Sequence, residues 1–135
     1  MVQMTVEYEG DLRCRGTHGP SGCEILTDAP VDNQGKGESF SPTDLLGTSL
    51  ASCMLTIMAI AARRSDRELT GAKATVTKHM VADPRRRVGA FEVEFSIPGE
   101  WDSEARKTLE HAARTCPVSL SISPAIDVSL RFHWI

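Results

Sequence analysis

Hydrophobic and polar residues alternate at the start of the chain, stop alternating in the middle, and alternate again toward the end. Each regime predicts different elements. Met4–Tyr8 and Leu12–His18 repeat with a period near two and predict two strands joined at the turn pair Gly10-Asp11. In the second strand this period puts Arg13 and Arg15 on one face and Leu12 and Cys14 on the other. Gly19-Pro20-Ser21-Gly22 is a turn, and Cys23–Thr27 predicts a third short strand. Asp28–Phe40, rich in Gly, Asp, Asn and Pro, predicts a loop. Its length is unusual for a structureless connection and suggests a functional or interface role.

The alternation then gives way to Leu45–Ala62, apolar or small throughout and free of charge, with Cys53 near its middle. Ser41 can cap a helix, Pro42 suits the first helical position, and Asp44 completes an S-x-x-D capping box at the positive helix end. Arg63 and Arg64 stand at the other end, where the macrodipole favours cations. The spacing predicts a helix over Pro42–Arg64. A transmembrane helix needs about 20 apolar residues, and this run is diluted by Gly47, Thr48, Ser49, Ser52 and Thr56. A helix buried on all sides within a core explains the same apolarity, and no membrane span is expected.

Ala72–Met80 and Val88–Ile97 predict a hairpin around Asp83-Pro84, with Phe91, Val93, Phe95 and Ile97 inward and Glu92, Glu94 and Ser96 outward. Asp102 or Ser103 caps a second helix reaching Thr115, with Ala105, Leu109, Ala112 and Cys116 on one face and Pro117 as its stop. Ile126–Trp134 predicts a last strand with alternate residues, Ile126 to Trp134, on one face. Three strands, a long helix, two strands, a shorter helix and a strand make an α+β fold of mainly antiparallel hairpins, with helices covering a sheet face.

Composition narrows the class. A chain of 135 residues without internal repeats is expected to be a single domain spanning 1–135. With a net charge of −3 it carries no basic excess for a nucleic acid, and Arg85-Arg86-Arg87 beside Asp83-Pro84 reads as a solvated turn. Glu7 and Glu9 near the N-terminus, without an apolar stretch, do not form a secretory signal, so a cytoplasmic location and reduced cysteines are expected.

The cysteines decide the chemistry. Cys14, His18 and Cys23, or His111 and Cys116, lack the paired ligand spacing of structural zinc, and no metal site is expected. Cys53 and Cys116 could be buried small hydrophobes, but their settings are distinctive. Ser41-Pro42-Thr43-Asp44-Leu45-Leu46 leading to Ser52-Cys53, with Cys116-Pro117-Val118-Ser119 further on, resembles the OsmC/Ohr family of thiol peroxidases. The resemblance extends to the order of elements, the Gly-rich loop Asp32–Gly37, Asp83-Pro84-Arg85-Arg86 and the aromatic last strand.

The resemblance implies an intertwined homodimer in which antiparallel sheets wrap long central helices and active sites lie at the subunit interface. It implies that Cys53 attacks an organic hydroperoxide and becomes a sulfenic acid. Cys116 then condenses with it to a disulfide, which an external dithiol reduces without any bound cofactor. A thiol needs a cation or helix terminus to ionise at neutral pH. Mid-helix Cys53 gains little from the dipole, and the family places an arginine on an early strand. Arg13 is preferred for that role and Arg15 is its alternative, while a solvated strand face remains the plain reading of both. Many members carry a glutamate after the motif proline that orients the arginine; here that position is Thr43 and the acid is Asp44. In a straight helix Asp44 would lie roughly 13 Å from Cys53 on the opposite side. It therefore caps the helix, or reaches a site as Asp44 of the partner subunit. The apolar residues Leu50, Met54, Ile57 and Leu109 imply preference for a lipophilic peroxide. The rival expectation is a dimer of the same fold with inert cysteines that binds a small hydrophobic ligand.

Overall fold

The alternating segments form two three-stranded sheets in the computed structural model, which describes all residues from Met1 to Ile135. The elements are β1 (Met4–Gly10), β2 (Arg13–His18), β3 (Glu24–Asp28), a 3-10 turn (Val31–Asn33), α1 (Pro42–Arg63), β4 (Lys73–Val81), β5 (Arg87–Ile97), α2 (Ser103–Arg114), α3 (Pro117–Ser121) and β6 (Asp127–Trp134). They are distributed over two compact units, Met1–Leu46 and Gly47–Ile135.

In the first unit β1, β2 and β3 form an antiparallel meander. The pairing of Gly10 with Arg13 leaves Asp11 and Leu12 as a two-residue loop, with φ of 53° and 62°. Left-handed backbone at both positions matches the twist of the flanking strands. Leu12 therefore belongs to the turn and not to the strand expected from its hydrophobicity. Arg13 and Arg15 share a sheet face as their spacing predicts, together with Leu26 and Asp28 of β3. The opposite face carries Met4, Val6, Tyr8 and Ile25, each more than half exposed, beside half-buried Cys14. The connection from Ala29 to Phe40 is tied down by backbone bonds from Asp28 to Phe40 and from Gly37 to Ala29. A side chain at Gly35 would collide with the Ala29 carbonyl, which explains the glycine there.

In the second unit α1 packs on β4 and β5. Its buried positions Gly47, Leu50, Ala51, Met54, Met58 and Ala62 recur at helical spacing. Gly47 lies so close to Phe91 that a Cβ would stand 2.9 Å from the ring and 3.3 Å from Val76. Leu50, Met54 and Met58 are fully buried, as are Phe91, Phe95 and Ile97 of β5. Each such side chain contributes about 1.5–3 kcal/mol of hydrophobic stabilisation. The helix is not buried on all sides, as its apolarity suggested. Leu55 and Ile57 are half-buried and Ile60 is 47% exposed.

The inward and outward residues of β5 fall as predicted. β4 pairs antiparallel with β5, but β6 runs parallel to it, so this sheet is mixed. The reason is connectivity: α2 and α3 carry the chain back across the sheet before β6 begins, as a parallel neighbour requires. Phe95 stacks on Phe132 at 4.9 Å between ring centroids. Arg106 and Arg114 of α2 lie over Trp134 and Phe132, and Arg67 covers Trp101 at 3.7 Å. These guanidinium groups cover buried Trp101 and half-buried Phe132 and Trp134 by cation–π contact.

Candidate active site

Two cysteine sulfurs are brought together within the second unit. Cys53 is a half-buried residue of α1, whose neighbours one turn away on either side are Leu50 and Ile57. Cys116 is fully buried, but it does not continue the apolar face of α2 as its spacing suggested. α2 ends at Arg114, and Cys116 stands at the N-cap of α3, its Sγ accepting the Ser119 N–H at 3.3 Å. Pro117 opens α3 at its first position, where its fixed φ fits and its missing N–H costs nothing, so it starts a helix as well as ending one. That signal was present in the sequence.

The Cys53 and Cys116 side chains approach each other closely enough to influence one another's charge, and neither is in a disulfide. Burial is the main cause that pushes the Cys116 thiol up. The hydrogen bond and charge of Cys53 push the same way, against the Ser119 and Val118 N–H groups. Cys116 thus keeps its proton past the ordinary thiol range.

The other residues singled out in the sequence lie in the first unit. Asp44 accepts the Ser41 N–H at 2.9 Å while the Ser41 hydroxyl accepts the Asp44 N–H at 3.1 Å, a reciprocal capping box at the start of α1. Arg13 and Arg15 have different surroundings. Arg15 bonds Glu9 at 3.0 Å and Glu24 at 2.5 Å, both on the solvent-exposed part of the sheet. Arg13 pairs with exposed Glu38 and approaches Asp28 at 3.5 Å. The hydrogen bond and charge of Glu38 are the largest causes raising the Arg13 pKa, with Asp28 adding to them.

Asp28 is only 1% exposed, and one of its oxygens also accepts the Glu38 N–H at 3.0 Å. The arginines and acids line a cavity of about 270 Å³ with Leu26 and Ser39. Asp28 and Glu38 were not foreseen: they lie at the ends of a loop whose composition announces turns and not partners. No three His, Cys, Asp or Glu residues gather as ligands for a metal ion.

A sequence profile of the family described as OsmC-like protein matches residues 35–131. No curated protein sequence matches the chain. Among solved structures, a candidate osmotic stress induced and detoxification response protein of Psychrobacter arcticus 273-4 is 51% identical, with a TM-score of 0.94 over 98% of this chain and 96% of that one. An organic hydroperoxide resistance protein OsmC of Legionella pneumophila is 18% identical, with a TM-score of 0.79 over 98% and 96%. An organic hydroperoxide resistance protein of Elizabethkingia anophelis is 17% identical, with the same TM-score of 0.79 over 100% and 96%. The last two share the α+β fold with this chain. With most of its length matched by the profile, the chain belongs to the OsmC-like protein family.

Proposed function

We propose that the protein is a thiol-dependent peroxidase that reduces organic hydroperoxides in oxidative-stress defence. The observation that carries this reading is the approach of Cys53 to buried Cys116, whose thiol burial and Cys53 push up. Cys53 thiolate attacks the outer peroxide oxygen, the O–O bond breaks, and the alcohol leaves with a proton, giving a Cys53 sulfenic acid. Cys116 sulfur then attacks Cys53 sulfur, the sulfenic oxygen leaves as water, and a disulfide forms. An external dithiol restores both thiols by exchange.

Arg13 is the proposed cation of the Cys53 thiolate. Asp44 holds the start of the helix that carries Cys53. The working form in this reading is a cytoplasmic homodimer that binds no metal or cofactor. Organic hydroperoxide resistance is the role named for the Legionella and Elizabethkingia proteins of the same fold. Thr43, in place of the family glutamate, favours the second reading: a dimer with inert cysteines that binds a small hydrophobic ligand.

One experiment separates the two. The reduced protein is treated with about one equivalent of an alkyl hydroperoxide and its disulfides are mapped by mass spectrometry. The peroxidase yields a Cys53–Cys116 bridge that Cys53→Ser lacks. Recovery of both free thiols, with no sulfenic adduct, establishes the inert dimer instead.

A further inference from the structure

Two buried side-chain polar atoms have no hydrogen-bond partner: Arg13 Nε and Asp28 Oδ1. They belong to residues already in contact, since Arg13 Nη2 stands 3.5 Å from Asp28 Oδ2. One orphan is a donor and the other an acceptor, and buried groups of that kind strongly favour finding partners. On a guanidinium, Nε–H and Nη2–H point the same way and match the two oxygens of a carboxylate.

We propose that Asp28 is the positioning residue of Arg13, closing a two-bond pair in which Arg13 Nε–H and Nη2–H donate to Asp28 Oδ1 and Oδ2. This role rests on the reading of Arg13 as the cation of the Cys53 thiolate, and it gives that arginine an orienting acid where Thr43 supplies none.

The surroundings suit a fixed clamp. Asp28 is anchored by its own N–H to Phe40 O at 3.0 Å and through Oδ2 by the Glu38 N–H, so the arginine is the partner with room to adjust. A carboxylate this deeply buried is retained when it is paired. Glu38 is 61% exposed, and a solvated carboxylate holds an arginine weakly, so it acts as a second, releasable hold. Arg15 has only surface glutamates and no buried acid, which sets Arg13 apart as the arginine built to be oriented.

Two readouts on the full chain test the pair and its purpose. In nitrogen-15 spectra the pair gives a slowly exchanging arginine Nε–H signal, absent in Arg13→Lys, shifted or lost in Asp28→Asn, and kept in Glu38→Gln. Absence of any protected Nε–H in the wild-type protein overturns the pair. The second readout is the pH midpoint of Cys53 alkylation, followed by mass spectrometry without peroxide. Arg13→Gln and Asp28→Asn are each expected to raise it by about one unit, roughly a tenfold loss of thiolate below the midpoint. Their double variant should rise no further.

A midpoint that moves in Arg13→Gln but not in a folded Asp28→Asn overturns the positioning role and leaves the thiolate role of Arg13 intact. A midpoint unmoved in Arg13→Gln overturns the thiolate role itself and positioning with it, whatever the Nε–H signal shows. Arg13→Lys needs no change at Asp28. It keeps the charge without the fork, so its midpoint should rise as in Arg13→Gln, and a wild-type midpoint overturns the proposal.

Discussion

Cys116 couples the ionisation of its thiol to stability. Burial and Cys53 raise its pKa, so the folded protein keeps the proton after an unfolded chain would release it. The favourable term is fully present below the ordinary thiol value of about 8.5 and is lost as pH rises from there through the folded value. Reduced wild-type protein should therefore lose unfolding free energy above about pH 8.5 more steeply than Cys116→Ala, as measured by urea denaturation across a pH series. Parallel curves would mean that the thiol ionises equally in both states. At this scale the sequence disclosed the two sulfurs through their local motifs. It did not disclose the hold on Arg13, because Asp28 and Glu38 meet it only after β2, β3 and the loop have folded.

Among the elements, α1 has the bounds and the cap that its sequence suggested, though not the all-round burial. Its capping box forms as Ser41 and Asp44 suggested, and Ser41→Ala should cost about 1 kcal/mol in thermal or urea unfolding. Gly47 sets two effects against each other. Alanine would gain about 1 kcal/mol of helix propensity. Its Cβ would stand 2.9 Å from the ring of Phe91, which is fully buried between α1 and the sheet and cannot turn aside. Overpacking of this kind costs about 1–3 kcal/mol, so Gly47→Ala should be net destabilising, seen as a lower urea midpoint with an unchanged slope.

Strand faces were legible because period-two alternation directly reflects burial on one face, and β5 is the clearest case. The parallel placing of β6 was not legible. Alternation records which face of a strand is buried and carries no sign of strand direction. The helix after Pro117 was not legible because proline ends one helix and begins another with the same residue.

At the scale of the whole molecule, the unspent apolar surface supports assembly. Met4, Val6, Tyr8 and Ile25 on one sheet face and Ile60 on α1 remain exposed in the single chain. Surfaces of this kind mark interfaces. The proposed homodimer should scatter light with about twice the chain mass of 14.7 kDa; a single-chain mass at micromolar concentration would sink it. A lipophilic substrate should also show itself in rates: a bulky alkyl hydroperoxide should be turned over faster than hydrogen peroxide, and equal rates would count against an apolar site.

The parallel β5–β6 pairing has a consequence for the life of the protein before it is complete. Cys53 lies upstream of the sheet, whereas Cys116 lies inside the crossover that only the docking of β6 closes. During synthesis the proposed attacking sulfur therefore emerges long before its proposed resolving partner is in place. A sulfenic acid formed in that interval has no neighbour to condense with and is open to further, irreversible oxidation. Under peroxide stress, newly made chains should accumulate Cys53 sulfinic acid while mature chains accumulate disulfide, a difference that pulse-labelling with mass spectrometry would read. A peroxidase of the proposed kind would be exposed, in its youth, to the reagent it later removes.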